Sequence, residues 1–191
     1  MWDREKPAGA LKRKFILAGI LSAVCFGISL NAMILSTDLA EHSEAFQRVQ
    51  RTEFSYTPLV GLFRFCILAP LLEEVMFRLL LCYGGAYVLE RLMPRKNACR
   101  LALFLSSLLF ALLHGNIVQG VYAFFMGLLM GGFLLVSRLL YLSFLMHAAA
   151  NFAVYGLAMA GLAGPVYNPL GGAVFFVLGL LFPALIFRKN R

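Results

Sequence analysis

The chain has 191 residues, of which 61% are hydrophobic and 14% charged, well short of the roughly 25% charged residues of a soluble domain. Its apolar runs are long enough to cross a bilayer, which excludes a soluble globule of this length and gives an all-α, polytopic membrane protein of about six transmembrane helices with its site inside the bundle. The net charge is +8, but the bases cluster at the ends of apolar segments, a pattern set by topology and anionic headgroups rather than by nucleic acid.

No internal repeat or separate soluble tract interrupts the sequence, so residues 1–191 read as one integral-membrane domain. Met1–Lys14 is basic. Phe15–Leu35 is an apolar run longer than the core of a cleaved secretory signal and reads as a first span. Ser36–Pro58 is polar and of mixed charge, a loop or a surface-lying helix in which His42 reads as solvated. Leu59 to about Glu90 is too long for one upright crossing and is expected to tilt, to kink at Pro70 or to extend into water. Pro70 lacks a backbone donor and should loosen the helix beside Glu73.

Glu90–Arg100 reads as a basic loop, Leu101–His114 as the third span, and Gly115-Asn116 as a tight turn. The fourth span, Val118–Val136, holds Gly127-x-x-x-Gly131, a spacing that allows close helix contact. Its aromatic-rich stretch Tyr122–Phe133 reads as lipid-facing and packing surface. Ser137-Arg138 marks a turn and Leu140–Gly161 the fifth span. Gly164-Pro165 and Asn168-Pro169 break the chain before a sixth span, Leu170–Phe187. With six spans, thirteen Lys and Arg fall on the side of both termini and only Arg48 and Arg51 on the other. The positive-inside rule then places both termini in the cytoplasm of a cell membrane. Four cysteines, at 25, 66, 82 and 99, form no C-x-x-C pair and suggest neither disulfides nor a thiolate metal site.

The chemistry lies in the few ionisable residues within these spans. Burying a charge in lipid costs at least about 2.5–3.5 kcal/mol, yet the second span carries Glu73, Glu74 and Arg78. Glu74 and Arg78 are four apart and share a helix face in the favourable acid-first order. Glu73 diverges from Arg78 by about 140° and has no partner on its own helix. His114 ends the third span, one turn beyond Phe110. His147 and Asn151 project together from the fifth. Three helices thus offer polar faces that should turn inward toward one another. A carboxylate or an imidazole can take a proton from water, and a histidine N–H and an asparagine amide can stabilise an oxyanion. Alternatively, Glu73, His114 and His147 could hold Zn²⁺, although no H-E-x-x-H is present.

Glu73-Glu74-x-x-x-Arg78, Phe110-x-x-x-His114 and His147-x-x-x-Asn151 together resemble the three-part signature of the CAAX protease and bacteriocin-processing (CPBP, or Abi) intramembrane proteases. The flanking Ala69-Pro70, Phe77-Arg78 and His114-Gly115-Asn116 are similar too, and the signature core spans residues 59–152. The chain departs from the pattern at Leu79, where members often carry Gly, a change that bears on packing. The resemblance implies an intramembrane endopeptidase in which Glu73 and His114 activate water, His147 and Asn151 form the oxyanion hole, and Glu74 and Arg78 support them. For the CAAX-protease members it favours a glutamate-dependent mechanism without a metal cofactor. The implied partners are membrane lipid and a peptide or membrane-anchored protein substrate, with no nucleic acid. Two other readings fit the composition: a non-catalytic bacteriocin-immunity membrane protein and a small transporter. Broken, internally repeated spans would mark the transporter, and a mutated motif would mark the immunity protein. The chain has no such repeat, and its three motifs are intact.

Overall fold

The computed structural model describes residues 9–188. Among them the chain is helical, with turns and no strand. The counted bases Arg4, Lys6, Lys189 and Arg191 lie outside the described residues. The first span is α1 (Gly9–Leu35), which begins six residues before its apolar run. The following polar segment holds the helix α2 (Glu44–Ser55), capped by Ser43, whose hydroxyl accepts from the Phe46 amide at 3.3 Å. A hydroxyl at that position satisfies one of the amides orphaned at a helix start.

Residues 58–89 run as one rod that alternates between two ladders: α3 (Pro58–Phe63), a π-helix π1 (Arg64–Leu68), α4 (Ala69–Glu73), a second π-helix π2 (Glu74–Gly84) and α5 (Gly85–Leu89). The loosening expected around Pro70 therefore takes the form of π-turns on both sides of α4. Such turns are rare and favour functional sites.

Pro94 precedes α6 (Arg95–Leu113), so the expected basic loop is shorter than the charge pattern suggests, and Arg95, Lys96 and Arg100 ride on the helix itself. Gly115 turns the chain at φ 66°, and Asn116 caps α7 (Ile117–Ser137) by accepting from the Gln119 amide at 2.9 Å. Arg138 closes α7 in the left-handed region at φ 60°. α8 spans Leu140–Met159. The break that follows falls at Gly161, φ 69°, and not at Gly164-Pro165, which lie inside the one-turn helix α9 (Ala163–Val166). Asn168 does mark a boundary: its carboxamide accepts from Gly171 at 2.9 Å and opens α10 (Pro169–Arg188).

Among the described residues, five helices (α1, α6, α7, α8 and α10) are long and apolar enough to cross a membrane. The protein is an all-α polytopic membrane protein. Leu72, Leu80, Leu112 and Leu170, each more than half exposed, present the apolar outer surface that lipid requires.

α1 packs against α7, α8 and α10. Its serines tie it to α10, Ser22 donating to the Gly179 carbonyl at 3.1 Å and Ser29 to the Gly172 carbonyl at 2.8 Å. Gly19 sits against Leu142 and Met146, and Gly27 against Ala150, so α1 and α8 run parallel. Gly127 and Gly131 pack on Ser107 and Leu103 of α6, as their spacing predicts. The main core comprises Phe77, Phe110, Met126, Met130, Leu142, Met146 and their neighbours.

Candidate active site

The 58–89 rod, α6 and α8 carry the candidate residues to one place. Glu74 and Arg78 are buried, at 2% and 0% exposure, and pair at 3.2 Å through Arg78 Nε. The two terminal guanidinium nitrogens have no hydrogen-bond partner among the described residues. The guanidinium instead lies over the ring of Phe110, 4.7 Å from its centroid, where the ring quadrupole attracts a desolvated cation.

Glu74 reaches further than Arg78. Its other oxygen accepts from His147 Nδ1 at 3.0 Å. That bond fixes the imidazole: with Nδ1–H committed to Glu74, Nε2 carries a proton only in the imidazolium. Nε2 faces Glu73, at 3.6 Å from its Oε2. The carboxylate that has no partner on its own rod therefore meets an imidazole from α8. Four residues form one chain of contact, Arg78–Glu74–His147–Glu73.

His114 is oriented from its own helix. Its Nδ1 donates to the Phe110 carbonyl at 2.9 Å, which leaves Nε2 of the neutral ring as an acceptor. Phe110 touches both histidines, its ring centroid 5.0 Å from His114 and 5.8 Å from His147, each edge-to-face.

Asn151 has a different anchor: its amide donates to the Phe65 carbonyl at 2.8 Å. That carbonyl is free for a reason legible in the chain. In the π1 ladder the Ala69 amide bonds to Arg64, and the next position, five beyond Phe65, is Pro70, which has no N–H. Pro70 thus orphans one carbonyl, and Asn151 fills it. A carboxamide has two donor hydrogens, so one remains after this bond.

Glu73, His114, His147 and Asn151 all line a single cavity of about 520 Å³. The remaining wall is largely apolar and aromatic, with Phe46, Phe65, Val118, Met126 and Tyr155. Tyr122, Ala123 and Met126 of α7 also face it, which corrects the reading of Tyr122–Phe133 as lipid-facing and packing surface alone. Glu53 on α2 is a further carboxylate in the wall. Burial pushes its carboxyl up to about 7 from the ordinary 4.5. No pattern in the chain signalled it, because α2 is polar and only the fold tips one face of it over the cavity.

Glu73, His114 and His147 do not fit a zinc ion as they stand. Among the described residues no three His, Cys, Asp or Glu side chains gather closely enough to hold a metal.

A family model matches this same part of the chain, residues 55–153, which include all three motifs. The model is that of the type II CAAX prenyl endopeptidase Rce1-like proteins. The chain belongs to that family. At the level of the Rce1-like family it is a CAAX-type intramembrane protease, a hydrolase carried on a multi-pass membrane fold. No curated protein and no solved structure matches the chain.

Proposed function

We propose that this Rce1-like protein hydrolyses a peptide bond within its cavity using a water activated by Glu73, with no metal cofactor. The observation that carries the reading is the convergence of Glu73, His114, His147 and Asn151 from three separate helices on one cavity. Glu73 is the carboxylate not held by Arg78, so it is free to accept a proton from water, and His114 Nε2 is the second acceptor that orients that water. The hydroxide so formed adds to the scissile carbonyl carbon. The oxyanion that develops is met by His147 as imidazolium, through Nε2–H, and by the second amide hydrogen of Asn151. Collapse breaks the C–N bond, and the proton held by Glu73 passes to the leaving amine. Glu74 and Arg78 position His147 and do not touch the substrate.

The enzyme is placed in the cell membrane with six spans, residues 58–89 being the crossing additional to the five apolar helices. Its basic helix ends lie in the cytoplasm, and it acts on a peptide or a membrane-anchored protein. The test is cleavage of a synthetic peptide library by protein purified in detergent, read by mass spectrometry. Glu73→Gln should lower cleavage by at least the ~10²–10⁴-fold of general-base catalysis, and His114→Ala by a similar factor. A Glu73→Gln enzyme that retains wild-type turnover would overturn the reading. Stoichiometric zinc whose removal stops cleavage and whose return restores it would overturn the metal-free part alone.

A further inference from the structure

The cavity is a well closed at one end. Behind Met126 of its wall lies packed core that serves as its floor: Phe77, Met126, Met130, Leu142 and Met146 are each no more than 3% exposed and pack together. The wall above them comes from the other ends of the same helices: Asn31 and Leu35 at the end of α1, Gln119 at the start of α7, Val154 and Ala158 toward the end of α8. α2 supplies Phe46, Val49, Gln50 and Glu53. The well therefore communicates with the face of the membrane on which α2 lies.

The bases are at the other face. Lys12, Arg13 and Lys14 stand at the start of α1, Arg91 after α5, Arg95, Lys96 and Arg100 at the start of α6, and Arg138 between α7 and α8. The α2 face has Arg48 and Arg51, with Arg64 a turn into the rod over the ring of Tyr56 at 4.6 Å. Lysine and arginine flanking short connections are retained in the cytoplasm, so the floor is cytoplasmic and the mouth is not. Resting on the peptidase reading above, we propose that the site is loaded from the extracytoplasmic face beneath α2. Its substrate is then a peptide segment presented outside the cytoplasm, exported or held at the outer leaflet, and not a chain terminus in the cytoplasm.

The test begins with labelling. In a Cys99→Ser background, single variants Gln50→Cys, Val154→Cys and Lys96→Cys are treated with a membrane-impermeant maleimide, in intact cells and after permeabilisation, with Gln119→Cys as a second reporter of the well should Val154→Cys fail to fold. Gln50→Cys and Val154→Cys should react in intact cells, and Lys96→Cys only after permeabilisation. Reaction of Gln50→Cys only after permeabilisation, or of the well reporter only from the Lys96 face, would overturn the proposal. A synthetic peptide library is then offered to intact cells and to inverted vesicles carrying the wild type or Glu73→Gln. Glu73-dependent cleavage in intact cells is the expected result, and cleavage confined to inverted vesicles contradicts it. No cleavage in either preparation, with the expected labelling, sinks the peptidase reading while the direction of access stands.

Discussion

At the scale of single residues, the paired glutamates divide their labour by geometry. Glu74 is enclosed between a guanidinium and an imidazole, while Glu73 meets His147 and lines the cavity. Removing one member of a buried ion pair typically costs about 3–5 kcal/mol because the other charge is stranded. Arg78→Ala should lose stability on that order, seen as a lower melting temperature in detergent. Glu74→Leu should behave likewise and should in addition free His147 Nδ1. Normal melting with abolished cleavage in Arg78→Ala would show that the guanidinium serves chemistry directly. The four-residue spacing made the ion pair legible in the chain. The second bond of Glu74, to His147, was not, because nothing in one sequence says which of two adjacent carboxylates meets a histidine 73 residues away. Phe110 was similar: its spacing from His114 was plain, but its position under Arg78 and beside His147 depends on how three helices pack.

At the scale of elements, Pro70 acts through the Phe65 carbonyl, five positions before it. Pro70→Ala returns an amide that can compete for the Phe65 carbonyl, which Asn151 now holds at 2.8 Å. A hydrogen bond of this kind is worth on the order of 1 kcal/mol, so the variant should melt close to the wild type. It should lose peptide turnover severalfold, with KM moved less than kcat. A fall in melting temperature with turnover intact would assign Pro70 to folding alone.

α2 carries a different prediction. The Glu53 carboxyl is pushed up to about 7 by burial, so the native state holds a proton that the unfolded chain releases near 4.5. Stability from this group is complete below that value and is lost as pH rises through about 7. Melting temperature should fall between pH 5 and pH 8, and Glu53→Gln should flatten that fall. Glu73, His114, His147, Tyr155 and Tyr167 share the cavity wall with Glu53. The slope that Glu53→Gln removes is therefore the measure, rather than the slope of the wild type.

At the scale of the molecule, the apolar runs announced a bundle, and the bundle is there: α1, α6, α7, α8 and α10 coincide with expected spans to within a few residues at most ends. The exceptions have physical causes. Helix ends ran past apolar ends wherever basic residues could continue the helix into headgroups, as at Lys12–Lys14 and Arg95–Arg100. The division of residues 58–89 into α- and π-turns left no apolar signature, since both ladders accept the same side chains. The gathering of Glu73, His114, His147 and Asn151 followed from the cost of leaving them in lipid. Which wall they would share with α2 depended on the tilt of a short polar helix, and sequence periodicity does not encode that.

A π-turn holds one more residue than the α-turn it replaces, so the 58–89 rod carries spare chain in its middle. Shortening π2 by one residue beyond Arg78, at Leu80 for instance, lets that ladder tighten toward α geometry while Glu73, Glu74 and Arg78 keep their spacing. The same deletion in α8, between His147 and Asn151, has no slack to draw on and swings one side chain by about 100° around the helix relative to the other. The protein thus has one helix that tolerates a change of length beside its chemistry and one that does not.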